Sequence, residues 1–186
     1  MGRAGIGNRR GVSAVHPEPG PRVVAGRYVL GRVLGTGSSA VVRMARDLRS
    51  GALVALKWFH PGCTIPEMRQ QRREMEALAR LDHPGLVGLR DSGSEEGRPF
   101  VVTDLVDGPS LAERLKGGPM EPGAVRRMGV GLARALDHVH GSGYIHRDVK
   151  PANVLLDDRG RARLTDFGIS RAVDGTAEMN NGCIVG

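Results

Sequence analysis

The run His146-Arg147-Asp148-Val149-Lys150-Pro151-Ala152-Asn153 packs a carboxylate, an ammonium and an amide into one short loop. A carboxylate such as Asp148 can orient a hydroxyl and accept its proton. An ammonium such as Lys150 can neutralise charge on a transferring phosphoryl group. The amide oxygen of Asn153 is a hard ligand of the kind magnesium takes. Downstream, Asp166-Phe167-Gly168 sets another carboxylate beside an aromatic that can fix it and a glycine that lets it turn.

Two upstream segments complete the set. Gly35-Thr36-Gly37-Ser38-Ser39-Ala40-Val41-Val42 is glycine-rich between apolar runs. Glycine lets a backbone approach phosphate oxygens closely and adopt positive φ. Alone, the segment reads more readily as an ordinary glycine hairpin. Val54-Ala55-Leu56-Lys57 ends an apolar strand on a lysine. Such a lysine is costly to bury unless an anion meets it, and otherwise is simply solvated. Glu74 or Glu76, on a following helix, can supply that anion.

The elements that must hold these residues follow from period and punctuation. Residues 28–34, 41–45 and 53–59 read as strands, the first two joined by the glycine segment. Met68, Met75, Leu78 and Leu81 recur at helical spacing among charges, which predicts an amphipathic helix over 67–81. Residues 86–89 and 100–105 read as two more strands around a polar turn at 92–98. The fold class is therefore α+β, an antiparallel sheet with one helix packed on it. After the break at Asp107-Gly108-Pro109, Ser110 can cap a short helix over 110–115. A second long helix spans 122–140, with Pro122 in its first turn. Its stripe is Val125, Met128, Leu132, Leu136 and Val139. Residues 145–170 form short strands and loops, and 171–186 have no period. Residues 1–26, rich in Gly, Arg and Pro, read as a disordered basic arm.

Composition narrows the function classes. Hydrophobic residues make up 40% of the 186-residue chain, enough for a core. Aromatics are only 3%, which argues against a stacking platform for single-stranded nucleic acid. The net charge of +7 comes without a groove-reading motif, so no nucleic-acid partner is expected. The two cysteines, Cys63 and Cys183, form no CxxC pair and suit a reducing, cytoplasmic setting. No apolar run approaches the ~18 residues of a membrane span, and the N-terminus lacks an apolar signal region. Ile6 stands where a myristoylation site needs Ser or Thr. His138 and His140 lie two apart on a helix and make a poor metal pair. Asp157 and Asp158 are expected to be solvated in a turn.

Taken together and in this order, the four segments resemble the signature set of protein kinases, over about residues 27–186. The Lys150-Pro151 pair resembles the Ser/Thr branch, and Gly168-Ile169-Ser170-Arg171 resembles bacterial members. The resemblance implies a two-lobed fold, with an N-lobe over 27–106 and a partial helical C-lobe over 107–186. It implies ATP and Mg2+ as cofactors and a protein as substrate. By resemblance, Gly35, Gly37 and the loop between them cover the phosphates, Leu34, Thr36 and Ser38 belong to the same cofactor-binding set, and Lys57 pairs with the α/β-phosphates and with Glu74. Asp148 is the catalytic base and Lys150 steadies the γ-phosphate. Asn153 and Asp166 hold magnesium. Val42, Ala55 and Leu155 sandwich adenine, Thr103 is the gatekeeper, and the backbone of Asp104 and Val106 meets the base.

Two departures bear on this reading. Ala40 replaces a third loop glycine, which is tolerable if its φ stays negative. The family continues through an activation segment into several further helices, so the sequence is expected to be truncated within that segment. The long helix would then expose part of its stripe. Arg147 suits pairing with a loop phosphate, for which Thr176 is the better candidate and Ser170 the other. Three readings compete: a Ser/Thr kinase, a fragment that binds nucleotide or pairs with an intact kinase or itself without transferring phosphate, and a relic that does not fold stably.

Overall fold

The computed structural model describes residues 22–61 and 81–166. Among these, six strands form one antiparallel sheet: β1 (Val23–Val24), β2 (Tyr28–Thr36), β3 (Ala40–Asp47), β4 (Leu53–Phe59), β5 (Leu89–Glu95) and β6 (Arg98–Asp104). Their spatial order is β1-β2-β3-β4-β6-β5. Below the sheet lie a short helix α1 (Leu111–Leu115), a long helix α2 (Pro122–Gly141), a 3-10 turn (Pro151–Asn153) and a small hairpin of β7 (Val154–Leu156) with β8 (Ala162–Leu164). The expected helix over 67–81 lies outside the described residues except for Leu81, which is buried.

Alternation along the strands gives the sheet two apolar faces. Val54, Leu56 and Trp58 of β4 join Phe100 and Val102 of β6 in one core with Val24, Tyr28, Leu30 and Ala45. The residues between them face the other way, where Phe59 packs with Ala40 and Val101. A period of two makes this division automatic.

The sheet curls until its edge strands meet. Arg27 donates to both carboxylate oxygens of Asp47 on β3 at 2.7 and 2.8 Å. It also reaches Asp91 of β5 at 2.8 Å, and the Tyr28 hydroxyl donates to that same Asp91 oxygen. Asp47 is almost fully buried. Its hydrogen bonds with Arg27 hold its carboxyl well below the usual carboxylate range. Arg22 pairs with Glu96, and the Ala25 N–H donates to Glu95. Residues 22–26, expected in the disordered arm, thus form a turn and a strand that seal the core.

One strand position is corrected. The sequence predicts a strand at 86–89 and a turn at 92–98. Instead β5 spans Leu89–Glu95, and only Glu96 and Gly97 turn, both at positive φ. As an edge strand that bonds only β6 in the sheet, β5 needs little apolar content. Its polar Asp91 is what Arg27 and Tyr28 hold. Leu86 instead makes an isolated parallel bridge to Leu164.

The lower core gathers Leu81, Leu86, Leu111, Ala135, Val139, Val154, Leu156, Ala162 and Leu164. Helix α2 begins at Pro122, whose missing N–H costs nothing there. The Glu121 carboxylate caps it, accepting from the Gly123 and Ala124 N–H groups. Of the predicted stripe, Val139 is buried and Met128, Leu132 and Leu136 pack against the core. Val125 is 45% exposed. Asp157, expected in solvent, instead accepts from the Arg159 and Arg161 N–H groups and pairs with the Arg161 side chain.

The forked geometry at Arg27 is testable. Arg27→Lys keeps the charge but cannot span two carboxylates. It is expected to lower the thermal midpoint nearly as much as Arg27→Ala. Arg22→Ala removes an exposed pair with Glu96 and a stacking contact over Trp58, and is expected to lower the midpoint less than either Arg27 variant. Thermal unfolding of the three variants at pH 7 checks the order.

Candidate active site

A cleft of about 480 Å³ lies between the sheet and the lower elements. Leu34 and Gly35 of β2, Val42 of β3, and Ala55 and Lys57 of β4 line it from the sheet. Thr103 and Asp104 end β6, and Val106 lies on the connecting segment that follows. Leu155 and Asp166 line it from below. These are ten of the residues expected around a nucleotide. Thr36, Gly37 and Ser38 are not in its wall. Gly37 N–H instead bonds the Ala40 carbonyl at 2.9 Å, closing the turn beyond the cleft.

Neither Gly35 nor Gly37 takes positive φ, so the expected use of that conformation is corrected. What glycine supplies is bare backbone: a Cβ at Gly35 would meet nothing within 4 Å. Ala40 likewise avoids positive φ and is buried beside Phe59 and Val101. A bulge in β2 frees the Gly31 carbonyl, which accepts from Arg43 Nε and Nη2 at 3.0 and 2.7 Å.

The lower loop is tightly bonded. Asp148 Oδ2 accepts from Lys150 Nζ at 2.8 Å and from Asn153 Nδ2 at 2.9 Å. Asn153 Nδ2 also donates to the Asp148 carbonyl at 2.8 Å. Lys150, then Asn153, hold the Asp148 carboxyl below its ordinary range despite some desolvation. Oδ1 is left as the oxygen that can take a hydroxyl proton. A carboxylate of lowered pKa is a weak base, suited to orienting a hydroxyl first and taking its proton late.

His146 is fully buried beneath this loop. Its Nδ1 accepts from the Asp148 N–H at 3.3 Å, so Nε2 carries the proton and donates to the Thr165 carbonyl at 2.9 Å. Burial pushes its pKa down, which keeps the ring neutral. One side chain therefore ties the backbone of Asp148 to the residue before Asp166. Arg147 and Asp166 both sit at positive φ, +63° and +58°. Left-handed non-glycine residues are costly and persist where surroundings impose them.

Across the cleft, Lys57 Nζ meets Asp166 Oδ1 at 2.8 Å. Glu74, the expected partner of Lys57, lies outside the described residues, as do Glu76, Phe167, Gly168, Ser170 and Thr176. The fit to magnesium rests on donor chemistry. Asn153 spends its amide nitrogen on Asp148 and Asp166 spends one oxygen on Lys57, leaving one hard oxygen on each. No group of three or more His, Cys, Asp or Glu among the described residues could hold a metal. Two protein oxygens completed by phosphate oxygens and water is the habit of magnesium.

Sequence reasoning missed part of the wall. Leu81, Val87, Leu89 and Val101 line the cleft beside Thr103, and Asp107, Ser110 and Glu113 line it beyond the connecting segment. Glu113 was legible through the capping-box spacing Ser110-x-x-Glu113, which is realised in both directions. The back-wall residues carried no signal of their own.

The chain matches a family model described as "Protein kinase domain" over residues 28–185. It belongs to the protein kinase family. The kinase relatives it resembles include the DNA damage-responsive serine/threonine-protein kinase RqkA of Deinococcus radiodurans, 46% identical over 79% of this chain and 23% of that protein. Another is CBL-interacting protein kinase 22 of Oryza sativa subsp. japonica, 42% identical over 82% of this chain and 38% of that protein. The crystal structure of the PknI kinase domain of Mycobacterium tuberculosis superposes with a TM-score of 0.70 at 33% identity, covering 78% of this chain and 59% of that one. The chain thus spans 23% and 38% of the two curated kinases named here.

His146→Ala is expected to cost about 1–3 kcal/mol, because it removes a fully buried ring and leaves a part-buried carbonyl and N–H without their partner. Its lowered folded pKa fixes a second outcome. Below the ordinary value near 6.5, the unfolded chain binds a proton that the fold refuses. The stability gap between wild type and variant should therefore shrink as pH falls below 6.5. Urea unfolding across that range measures both effects.

Proposed function

We propose that this chain carries the nucleotide-binding and phosphoryl-transfer machinery of a Ser/Thr protein kinase. The observation that carries the reading is one cleft with Lys57 and Asp166 paired inside it and the Asp148–Lys150–Asn153 cluster joined to it through His146. The reaction moves the γ-phosphoryl group of ATP to a Ser or Thr hydroxyl of a protein. A bond forms from the hydroxyl oxygen to the γ-phosphorus, the bond to the β,γ-bridging oxygen breaks, and ADP leaves.

Each residue has a role in that exchange. Asp148 orients the hydroxyl and accepts its proton on Oδ1. Lys150 faces the developing charge at the γ-phosphoryl group. Lys57 holds the α/β-phosphates and, on the reading above, Glu74 braces it. Asn153 and Asp166 hold magnesium, whose charge offsets that of the phosphates. Val42, Ala55 and Leu155 enclose adenine, and Thr103, Asp104 and Val106 face its edge. Leu34 to Ser38 supply the covering loop. Such transfer depends on positioning and charge neutralisation more than on covalent help. A cytoplasmic setting, where ATP is abundant, suits it.

A second reading has its own observation. Val125, Val130, Ile145 and Val149 are 45%, 48%, 66% and 52% exposed on α2 and around the catalytic loop. Apolar surface of this kind favours association with further protein, an intact kinase or a second copy. In that case the chain binds nucleotide without turnover of its own.

A radiolabelled transfer assay with magnesium-ATP and a generic basic protein tests the first reading. Asp148→Asn is expected to lower transfer at least about 10²-fold. ATP affinity should change little, since Asp148 lies outside the cleft wall. Asp166→Ala is expected to remove the magnesium dependence of ATP binding. ATP binding without transfer by the wild type would favour the second reading, and no ATP binding would sink both.

A further inference from the structure

We propose that Arg90 is a positioning residue for the nucleotide base, acting through Asp104, and this rests on the kinase reading above. Asp104 is the last residue of β6, where the chain leaves the sheet for the segment that crosses the cleft. Leu105, Val106, Asp107 and Gly108 of that segment all line the cleft. Neither the N–H nor the C=O of Val106 takes a hydrogen bond among the described residues. On the kinase reading it is this N–H and C=O that meet a base edge.

Asp104 is fastened at three points to the chain around Gly88 and Arg90. Its N–H donates to the Gly88 carbonyl at 2.9 Å. Its Oδ1 accepts from Arg90 Nε in a short charge-assisted bond. Its carboxylate lies over Gly88, where a Cβ would stand 2.9 Å from Oδ2. The absence of a side chain at Gly88 is what lets the carboxylate turn back toward Arg90. The Asp104 carbonyl is engaged too, accepting from Thr103 Oγ1 at 3.3 Å.

An exposed ion pair alone stabilises little. This pair differs in where it acts. Arg90 is 64% exposed, but its partner is only 21% exposed and is the hinge from which the base-reading segment departs. Arg90 itself is not in the cleft wall. Its effect must therefore pass through the position of Asp104 and on to Val106. A displaced hinge penalises recognition of a base edge and leaves the phosphate side, held by Lys57 and Asp166, unaltered.

The test compares binding of magnesium-ATP, magnesium-GTP and magnesium-tripolyphosphate to the full chain by calorimetry. Arg90→Ala is expected to weaken ATP about threefold, the size an exposed pair can transmit. Tripolyphosphate affinity should not change, and the preference for ATP over GTP should fall by the same factor. Arg90→Lys should restore part of the loss. Gly88→Ala, which pushes the carboxylate off its seat, should reproduce the Arg90→Ala pattern. Unchanged ATP affinity in Arg90→Ala overturns the proposal, as does equal weakening of all three ligands. Failure of the wild type to bind ATP overturns the kinase reading itself, a separate outcome.

Discussion

The buried imidazole of His146 is the constraint on which the site depends. It is polar, carries no charge and has no exposure, so it persists only because both ring nitrogens are bonded. Those bonds run to the Asp148 backbone on one side and the Thr165 backbone on the other. Thr165 N–H in turn bonds the Asn153 carbonyl at 2.9 Å. The three side chains that meet substrate and metal on the proposed reading thus hang from one closed set of backbone contacts. The positive φ of Arg147 and Asp166 flanks that set, which is where strain would be expected if the loop were held by its surroundings.

The sheet solves a different problem. Lys57 must sit on a strand between apolar neighbours and still face polar groups. Alternation does this: Leu56 and Trp58 enter one core while Lys57 points to the cleft. That arrangement requires the far face to be sealed, and the seal is the contact of the sheet edges through Arg27, Asp47, Asp91 and Tyr28. Two buried or half-buried carboxylates around one guanidinium would be unfavourable if either side were missing. Residues 22–27 are thus part of the fold rather than an appendage to it.

Much of this is legible in the sequence, and the failures have physical causes. Strand β4 reads at its true ends because Leu53 and Phe59 bound an apolar run. Strand β5 is misplaced because an edge strand with a polar outer face looks like a loop. Val23–Val24 escapes notice because two residues show no period, and its reason for ordering lies at Trp58 and Glu96, far away in sequence. Ten expected site residues line one cleft because motif spacing encodes their chemistry. His146 stands out only as part of its motif, since nothing in sequence says that an imidazole will be buried. The pairing of Lys57 with Asp166 joins residues more than a hundred positions apart, and spacing cannot show it.

The two sides of the site differ in completeness among the described residues. The nucleotide side is enclosed: the sheet, the connecting segment and β7 supply wall, hinge and floor. The acceptor side is open. Asp148 lies near exposed Ile145 and Val149, and the apolar end of α2 at Val125 is also uncovered. On the proposed reading, nucleotide binding draws on cleft residues that lie among the described ones, with Glu74 outside them. The weak basicity of Asp148 sharpens this division. A base that takes its proton late contributes little until an acceptor is held against the γ-phosphorus. On the proposed reading, turnover then waits on what presents the hydroxyl, while Lys57, Asp166 and the Asp148 cluster are already placed.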